Sequence, residues 1–303
     1  MAGKQNQKDD AEVEVVSNGI VEMYNRGTRL FTKDTIRHIA EQLEKYRDNK
    51  LENNKLHFTN MKGEDVEVIL DPSKPPVWED MNTVDPQKAC LAIGVTWPGP
   101  HPVLHHHRLP SIDETLSNTF SRAELGQVFD HVRQQWEASE QYVRLKKLLK
   151  SRKAQLANVK KIVAVALGTL ANGSKVSRPS IVQHALTLSL QQMLSKMKTP
   201  DNRIVGIFQS IRDSVLRNKI VKTPIPCFAQ DPAYLPRDKA VLAELGITFL
   251  EDPWAFLEVD DTSLVVSVDP NIPVRQIIAD IARPVAIIQH KMMEMNGPDA
   301  SAW

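Results

Sequence analysis

Three short polar segments of the chain carry residue types that bind small ligands, and each follows an apolar run that predicts a β-strand. Glycine lets a backbone turn sharply towards a ligand, whereas hydroxyl, carboxylate and amide groups supply hydrogen-bond partners. In open α/β sheets, ligands bind beyond the carboxyl ends of the strands, where the strand order reverses. The candidate ligand-binding residues are therefore Gly168, Thr169, Gly173, Ser174, Asp231, Asp269 and Asn271.

The first segment, residues 168–174, has the chemistry of an anion site. Gly168 would allow a sharp turn, and Gly173 and Ser174 would offer N–H and hydroxyl donors. Lys175 and Arg178 lie beside the N-terminus of a predicted helix, whose dipole favours negative charge. A phosphate or a carboxylate fits this pattern. The segment is neither G-x-G-x-x-G nor a P-loop, however, so an ordinary strand–helix connection also explains it.

The other two segments would complete such a site. Asp231 follows the second predicted strand, where an acidic residue commonly accepts hydrogen bonds from a ribose, although Asp231 and Pro232 would also simply start a turn. Asp269 and Asn271 follow the fourth predicted strand and would contact an amine or hydroxyl if the strand order reverses there; a proline-stiffened turn explains them equally. The enzyme alternative is an S-adenosylmethionine- or nucleotide-dependent transferase, but no catalytic residue can be identified.

Histidines and cysteines give little indication of a metal or haem site. His101 and His105–His107 would bind a divalent ion adventitiously, but adjacent side chains point in different directions and no cysteine or carboxylate pair nearby has metal-ligand spacing. Neither Cys90 nor Cys227 precedes proline, so any haem would need histidine ligands. His184 would either face the cleft or lie hydrogen-bonded in the core. We predict no native metal site and assign no cofactor.

The elements that must position these residues alternate between strands and helices from about residue 158 onward. Strands are predicted at 162–167, 225–229, 247–250, 263–268 and 285–289, and helices at 181–197, 237–245 and 274–282. This alternation implies right-handed βαβ units, and near-continuous apolar strands indicate a sheet that is covered on both faces. The predicted fold class is α/β, with a Rossmann-like, mostly parallel sheet and helices on both faces.

The N-terminal half predicts an additional α+β region. Thr32 precedes an amphipathic helix at 33–47, strands are predicted at 66–70 and 90–97, and four prolines make an irregular arm at 98–110. Capping boxes indicate helix starts at Ser111, Ser121 and Ser180. Ser121 opens one long predicted helix at 122–156, and Gln183 is the partner of Ser180 in its capping box. The predicted divisions are a flexible tail (1–15), this region (16–157), the α/β domain (158–292) and a second tail (293–303).

Composition places the 303-residue chain among ordinary globular proteins, with 42% hydrophobic and 25% charged residues. No apolar run approaches the ~20 residues that a spanning helix needs, and the polar N-terminus predicts no signal peptide. Two cysteines exclude a disulfide framework and fit a reducing compartment. We therefore expect a cytoplasmic or nuclear protein that has no membrane partner.

The net charge of +1 conceals a segregation of charge. Residues 144–222 contain 17 Lys and Arg against two Asp and Glu, whereas residues 223–270 contain two against nine. These segments either neutralise each other on one surface or leave an anion-binding face. The run 144–161 has eight basic residues and no acid. It lacks interleaved aromatic residues, so we do not expect nucleic acid as a partner, and a solvated helix end is the simpler interpretation.

Five segments resemble, in order, those of a known family: KIVAVALGTL at 161–170, VQHAL at 182–186, FAQDP at 228–232, LGI at 245–247 and VVSVDPNIPVRQIIADIARP at 265–284. The family is the SRR-like domain family, named after the plant protein "sensitivity to red light reduced", and the N-terminal half is similar to extensions of fungal members. The resemblance covers about residues 158–290. Many members carry Pro-His-Cys or Pro-His-Pro after the fourth strand, where this chain has Asp269-Pro270-Asn271, so a role of that histidine or cysteine is not expected here.

The resemblance implies a regulatory protein in light or circadian signalling and in stress or developmental regulation, with links to haem metabolism and no firmly attached reaction. Three hypotheses follow. A binding module would hold a nucleotide-like or other small anionic ligand at the strand ends, a transferase would act in the same cleft, and a ligand-free interaction protein or haem-related factor would contact an unidentified protein partner. An enzyme is the less favoured interpretation.

Overall fold

The computed structural model describes residues 22, 25–59, 65–69, 120–172, 175–197, 224–268, 270 and 272–290. In chain order, its helices are α1 (Lys33–Arg47), α2 (Arg122–Glu137), α3 (Glu140–Ser151), α4 (Arg178–Met197), α5 (Pro236–Glu244), α6 (Trp254–Glu258) and α7 (Val274–Ile281). Its strands are β1 (Lys55–Thr59), β2 (Asp65–Ile69), β3 (Lys161–Val165), β4 (Ala171–Asn172), β5 (Lys175–Val176), β6 (Cys227–Gln230), β7 (Thr248–Phe249), β8 (Ser263–Val266) and β9 (Ala286–Ile288).

A five-stranded parallel sheet forms the centre of the molecule, in the order β7-β6-β3-β8-β9. Ala164 in the central strand β3 lies between Ala229 of β6 and Val266 of β8. The inner strands are apolar and buried, as a sheet with both faces covered requires. The predicted α/β fold with a Rossmann-like parallel sheet is therefore confirmed. Outside it, the described residues form two short antiparallel pairs, β1–β2 and β4–β5.

Successive side chains of β3 enter two different cores, because a strand presents alternate residues to opposite faces. Ile162 and Ala164 pack in a core with α2 and α4, whose fully buried members include Phe129 and Ile181. Val163 and Val165 pack on the other face, in a core that includes residues of α1, β1, α6 and α7. The N-terminal helix α1 therefore supplies part of the layer that covers the second face of the sheet.

Polar contacts fasten α1 to the C-terminal part of the chain. Asp280 Oδ2 accepts hydrogen bonds from the backbone N–H groups of Leu30 (2.7 Å) and Phe31 (3.0 Å). Lys33 Nζ donates to the carbonyl oxygen of Val259 (2.6 Å), beyond the end of α6. The helix itself starts as predicted, since the hydroxyl of Thr32 accepts from the N–H of Thr35 and caps α1.

The prediction of one long helix at 122–156 was wrong. The capping box of Ser121 and Glu124 opens α2 as expected, but α2 ends at Glu137. Ser139 then caps the new helix α3, with its Oγ accepting from the N–H of Tyr142 at 3.2 Å. The side chain of Ser139 thus offers the backbone an alternative to continuing the helix, while helical spacing is kept on both sides of the break.

The predicted capping box at Ser180 was also wrong, because α4 starts at Arg178. Ser180 lies inside the first turn, where its hydroxyl pairs with that of Ser177 at 2.7 Å, and Gln183 Oε1 has no hydrogen-bond partner among the described residues. Pro179 suits this early position because it lacks an N–H, which the first helical turn leaves unpaired in any case.

Other predicted elements lie at their expected places, with ends that differ by one or two residues. The strand at 90–97, the capping box at Ser111, the two tails, His101 and His105–His107 lie outside the described residues. None of the described helices is long and apolar enough to span a membrane.

Candidate functional site

The strand order reverses between β3 and β8. From β3 the chain proceeds outward through β6 to β7 and then crosses to β8 and β9 on the other side. Helix α4, which comes after β3, packs on one face of the sheet, and α7, which comes after β8, packs on the other. In a doubly wound sheet, this divergence is what opens a crevice at the carboxyl ends of two neighbouring strands.

Beyond β3 the backbone turns sharply at two residues. Ala166 has a φ of 58° and Gly168 a φ of 78°, both in the left-handed region. A Cβ atom on Gly168 would lie 2.6 Å from Oγ of Ser180, in the first turn of α4. Glycine is therefore required at 168 both by its φ and by the close approach of α4. As a result, the N-terminal turn of α4 lies directly against the turn that follows β3.

Asp231 joins the loops that follow β3 and β6. Its Oδ2 accepts a hydrogen bond from the N–H of Gly168 (2.6 Å) and its Oδ1 accepts one from the N–H of Ala233 (2.8 Å). The residue is only 9% exposed. Burial raises the pKa of the carboxyl, and the two backbone donors partly oppose that rise. The sharp turn expected at Gly168 is therefore present, and its N–H is bound to Asp231.

Thr169 makes the second connection between these loops. Its Oγ1 lies 2.6 Å from Oδ2 of the buried Asp238 and 2.9 Å from the carbonyl oxygen of Ala171. The N–H of Leu235 donates to the same Asp238 oxygen at 2.9 Å. Burial raises the pKa of Asp238, and the hydrogen bonds from Thr169 and Leu235, together with the nearby charge of Arg237, partly oppose that rise.

His184 lies in the core rather than in a cleft, since it is fully buried. Its Nδ1 lies 2.7 Å from the carbonyl oxygen of Ser180, which can only accept, so Nδ1 carries the proton. Nε2 therefore accepts from the hydroxyl of Tyr234 at 2.7 Å. Burial lowers the pKa of His184 to about 4 and raises that of Tyr234. The pair is neutral at pH 7 and both groups are internally hydrogen-bonded.

Ser267 lies at the carboxyl end of β8 and is not among the candidate residues that the sequence indicates. It follows β8 directly and is 3% exposed. Its N–H donates to the carbonyl oxygen of Ile288 (2.9 Å), but its Oγ has no hydrogen-bond partner in the described part of the chain. A buried hydroxyl without a partner costs free energy. The sequence carries a signal of it, because Ser267 interrupts the apolar run after Val266.

Gln230 is also absent from the residues that the sequence indicates, and its hydrogen bonds connect the end of β6 to α6. Its Oε1 accepts from the N–H of Ala255 (2.7 Å), and its Nε2 donates to Oδ1 of Asp252. Gln230 is almost fully buried. A polar residue at the end of an otherwise apolar strand was the available signal, but its partner could not be inferred from the sequence.

Two exposed cations lie near the Gly168 turn. Lys175 in β5 and Arg178 at the start of α4 are exposed, and within the described ranges neither forms an ion pair. Four predicted site residues lie outside the described residues, so their roles stay predictions: Gly173, Ser174, Asp269 and Asn271. The other three, Gly168, Thr169 and Asp231, come together at the carboxyl edge of β3 and β6.

In the part of the chain that the structure describes, no group of three His, Cys, Asp or Glu side chains is placed so that it could hold a metal ion. Cys227 is buried in β6, and burial raises the pKa of its thiol to about 12. It therefore stays a thiol at neutral pH and is a poor metal ligand.

Residues 145–289 match the SRR1 domain. The match starts within α3 and ends just after β9, so it includes every strand of the central sheet. The resemblance of this part of the chain to the SRR-like domain family is therefore confirmed, and the fungal type stays a prediction. No curated protein and no solved structure gives a significant match.

Proposed function

We propose that this chain is a regulatory protein of the SRR-like domain family that binds a nucleotide-like or other small anionic ligand beyond the carboxyl ends of β3 and β8. The observation that carries the proposal is the reversal of strand order between these two strands, with the first turn of α4 held against the Gly168 turn. In doubly wound sheets, that position is where ligands bind.

Two features of the edge support an anionic ligand. The 20-residue helix α4 directs its N-terminal N–H groups, which carry partial positive charge, towards the same end of the sheet. Lys175 and Arg178 add full positive charges beside it. On the β8 side, Ser267 offers a buried hydroxyl without a partner among the described residues, which a bound ligand would satisfy.

Binding is a better interpretation than group transfer. Asp231, Asp238, His184 and Tyr234 are titratable groups at this end of β3 and β6, and all four are buried and hydrogen-bonded internally. A general acid or base must reach a proton of the substrate. The polar network instead fixes the shape of the loops, which suits a site whose occupancy is sensed by a partner.

The resemblance to the family is what suggests a regulatory role. We propose that the chain acts in light or circadian-type signalling, or in stress or developmental regulation, in the cytoplasm or nucleus. A ligand that binds only the folded state stabilises it, and a partner surface on the same domain then responds to ligand concentration.

The proposal is tested by native mass spectrometry of the freshly purified full chain, followed by thermal unfolding with ATP, S-adenosylmethionine, haem or inorganic phosphate. A ligand at a hundred times its Kd stabilises the fold by about 2.7 kcal/mol. We expect an anionic compound to raise the midpoint, and we expect Lys175→Glu/Arg178→Glu to lose most of that rise while its own midpoint stays near that of the wild type.

The matched control is Arg29→Glu/Lys45→Glu, which reverses two exposed charges near and on α1. It should keep the full ligand-induced shift. The proposal is contradicted if no compound raises the midpoint, or if the two double variants lose the shift equally.

A further inference from the structure

Strand β9 is one edge of the central sheet and, among the described residues, it pairs with β8 alone. The carbonyl oxygen of Ile288 accepts a hydrogen bond from the N–H of Ser267, so the backbone groups of Ile288 face β8. The N–H and C=O of one strand residue point to the same side, and neighbouring residues alternate, so those of Ile287 face outward. The N–H of Gln289 likewise forms no backbone hydrogen bond within the described ranges. In the described part of the chain, the outer side of β9 therefore presents unpaired backbone groups.

The other strand edges among the described residues are protected. On β1, the side chain of Gln42 occupies the outward groups of His57, because it accepts from the N–H (2.8 Å) and donates to the carbonyl oxygen (2.6 Å). On β2, Asp65 and Glu67 place negative charges along the strand. Strands β4, β5 and β7 are only two residues long. Covered backbone groups, charges and short length are the devices that keep an edge from pairing with another chain.

Strand β9 has none of these devices. Its residues Ala286, Ile287 and Ile288 are half-buried, and the flanking Val285 and Gln289 are also uncharged. β-Branched side chains favour the pleated surface of a sheet. The alternating N–H and C=O groups of an open edge are matched by an extended backbone, which adds to the sheet as a further strand. The chemistry of this edge therefore specifies a β-strand as its occupant.

We infer that β9 pairs with β9 of a second copy of this chain, antiparallel, around a two-fold axis at Ile287. In this register the two Ile287 residues exchange both of their N–H···O=C bonds, and Gln289 lies opposite Val285 of the other copy. Uncharged side chains therefore meet across the axis throughout 285–289. The five strands of each copy then form one continuous sheet of ten.

A second copy fits this edge better than a foreign strand does. The edge carries no charge within 285–289 that would select an acidic or a basic partner, whereas an identical strand in the antiparallel orientation is its own complement. The pairing also closes, because the far edge strand β7 is too short to propagate the sheet. The edge lies on the side of β8 away from β3, so the inference is independent of the proposed ligand site.

The first test is the mass of the full chain in solution. A short ladder makes a small and weak interface, so sedimentation velocity should cover a roughly hundredfold range of concentration, up to about 100 μM. We expect the weight-average mass to rise from that of one chain towards that of two. Hydrogen exchange at the amide of Ile287 should slow over the same range, because pairing protects that N–H.

The second test exchanges charge at the axis. Ile287→Lys and Ile287→Glu each place like charges opposite each other and should weaken the dimer at least tenfold, whereas an equimolar mixture should regain it. Because Ile287 also packs partly against the core, Gln289→Pro is the second variant. It removes an N–H from an exposed edge position and should weaken the dimer at least tenfold. The matched control is Thr248→Lys, at an exposed position of β7, which should dimerise like the wild type.

The inference is overturned if the wild type stays monomeric over the whole range. In a monomer, an Ile287 amide that is protected at every concentration would assign the edge to another segment of the same chain. The inference is also overturned if the dimer persists unchanged in Gln289→Pro, since the two copies then meet elsewhere. This variant decides alone if the Ile287 variants do not fold.

Discussion

Replacing Gly168 by alanine should destabilise the fold for two separable reasons. A side chain at a φ of 78° costs about 1–2 kcal/mol, because a left-handed conformation strains any residue with a Cβ. The new Cβ would also lie 2.6 Å from Ser180 Oγ, so this hydroxyl must turn away and give up its bond to Ser177. The lost bond adds about 1 kcal/mol. We expect Gly168→Ala to lower the free energy of unfolding by about 2–3 kcal/mol in total.

The two contributions are measured by urea unfolding of a double-mutant cycle with Ser180→Ala. In the Ser180→Ala background the close contact is absent, so Gly168→Ala should cost only about 1–2 kcal/mol. Gly246→Ala is the matched control, because Gly246 has a similar φ of 82° and a Cβ added there would meet no atom within 4 Å. It should also cost about 1–2 kcal/mol. Equal costs of Gly168→Ala in both backgrounds would refute the steric argument.

Four further predictions follow from burial and hydrogen bonding. The fold lowers the pKa of His184 from its ordinary 6.5 to about 4, so the free energy of unfolding should drop by about 3 kcal/mol as the pH falls from 6.5 to below 4. Urea unfolding across this pH range measures the drop. An equal drop in His184→Gln contradicts the prediction. The raised pKa of Asp238 has the opposite effect, so the free energy of unfolding should fall as the pH rises from the ordinary Asp pKa through the folded one. Asp238→Asn should remove that fall. The prediction is contradicted if the variant and the wild type show the same dependence on pH up to pH 8. Ile36 is buried in the core with α6 and α7, so Ile36→Ala should lower the free energy of unfolding by about 2–5 kcal/mol. Leu148 is exposed, so Leu148→Ala should lower it by less than about 0.5 kcal/mol. Equal losses in urea titrations would contradict this difference. Ser267→Ala should leave the free protein as stable as the wild type, or up to about 1 kcal/mol more stable, while reducing the midpoint shift produced by an anionic ligand; an unchanged shift removes Ser267 from the site.

The parts of the fold that could be predicted are those encoded in contiguous patterns. Apolar runs such as 162–167 identify strands, and their alternation with helices implies parallel pairing through right-handed crossovers. Asp231 could likewise be placed at the end of its strand. Local capping was less predictable: Ser139 ends one helix and starts another within a stretch whose helical spacing does not change, and Ser177 rather than Ser180 precedes α4.

The partners of the site residues could not be predicted. Gly168 and Asp231 are 63 residues apart in the chain, Thr169 and Asp238 are 69 apart, and each contact depends on how two loops leave neighbouring strands. The N–H of Gly168 and the hydroxyl of Thr169 are hydrogen-bonded to these two carboxyl groups, and only the tertiary structure shows those partners.

The position of α1 also has a consequence for how the chain is made. The backbone N–H groups of Leu30 and Phe31, just before this helix, meet the carboxylate of Asp280, 250 and 249 residues later. During synthesis from the N-terminus, α1 leaves the ribosome long before α6 and α7, against which it packs. Its apolar side, which includes Ile36, therefore cannot be buried until almost the whole chain has been synthesised. Such late, long-range contacts slow folding and prolong the time during which apolar side chains are exposed to aggregation. We expect this helix to be a target of chaperones on the nascent chain.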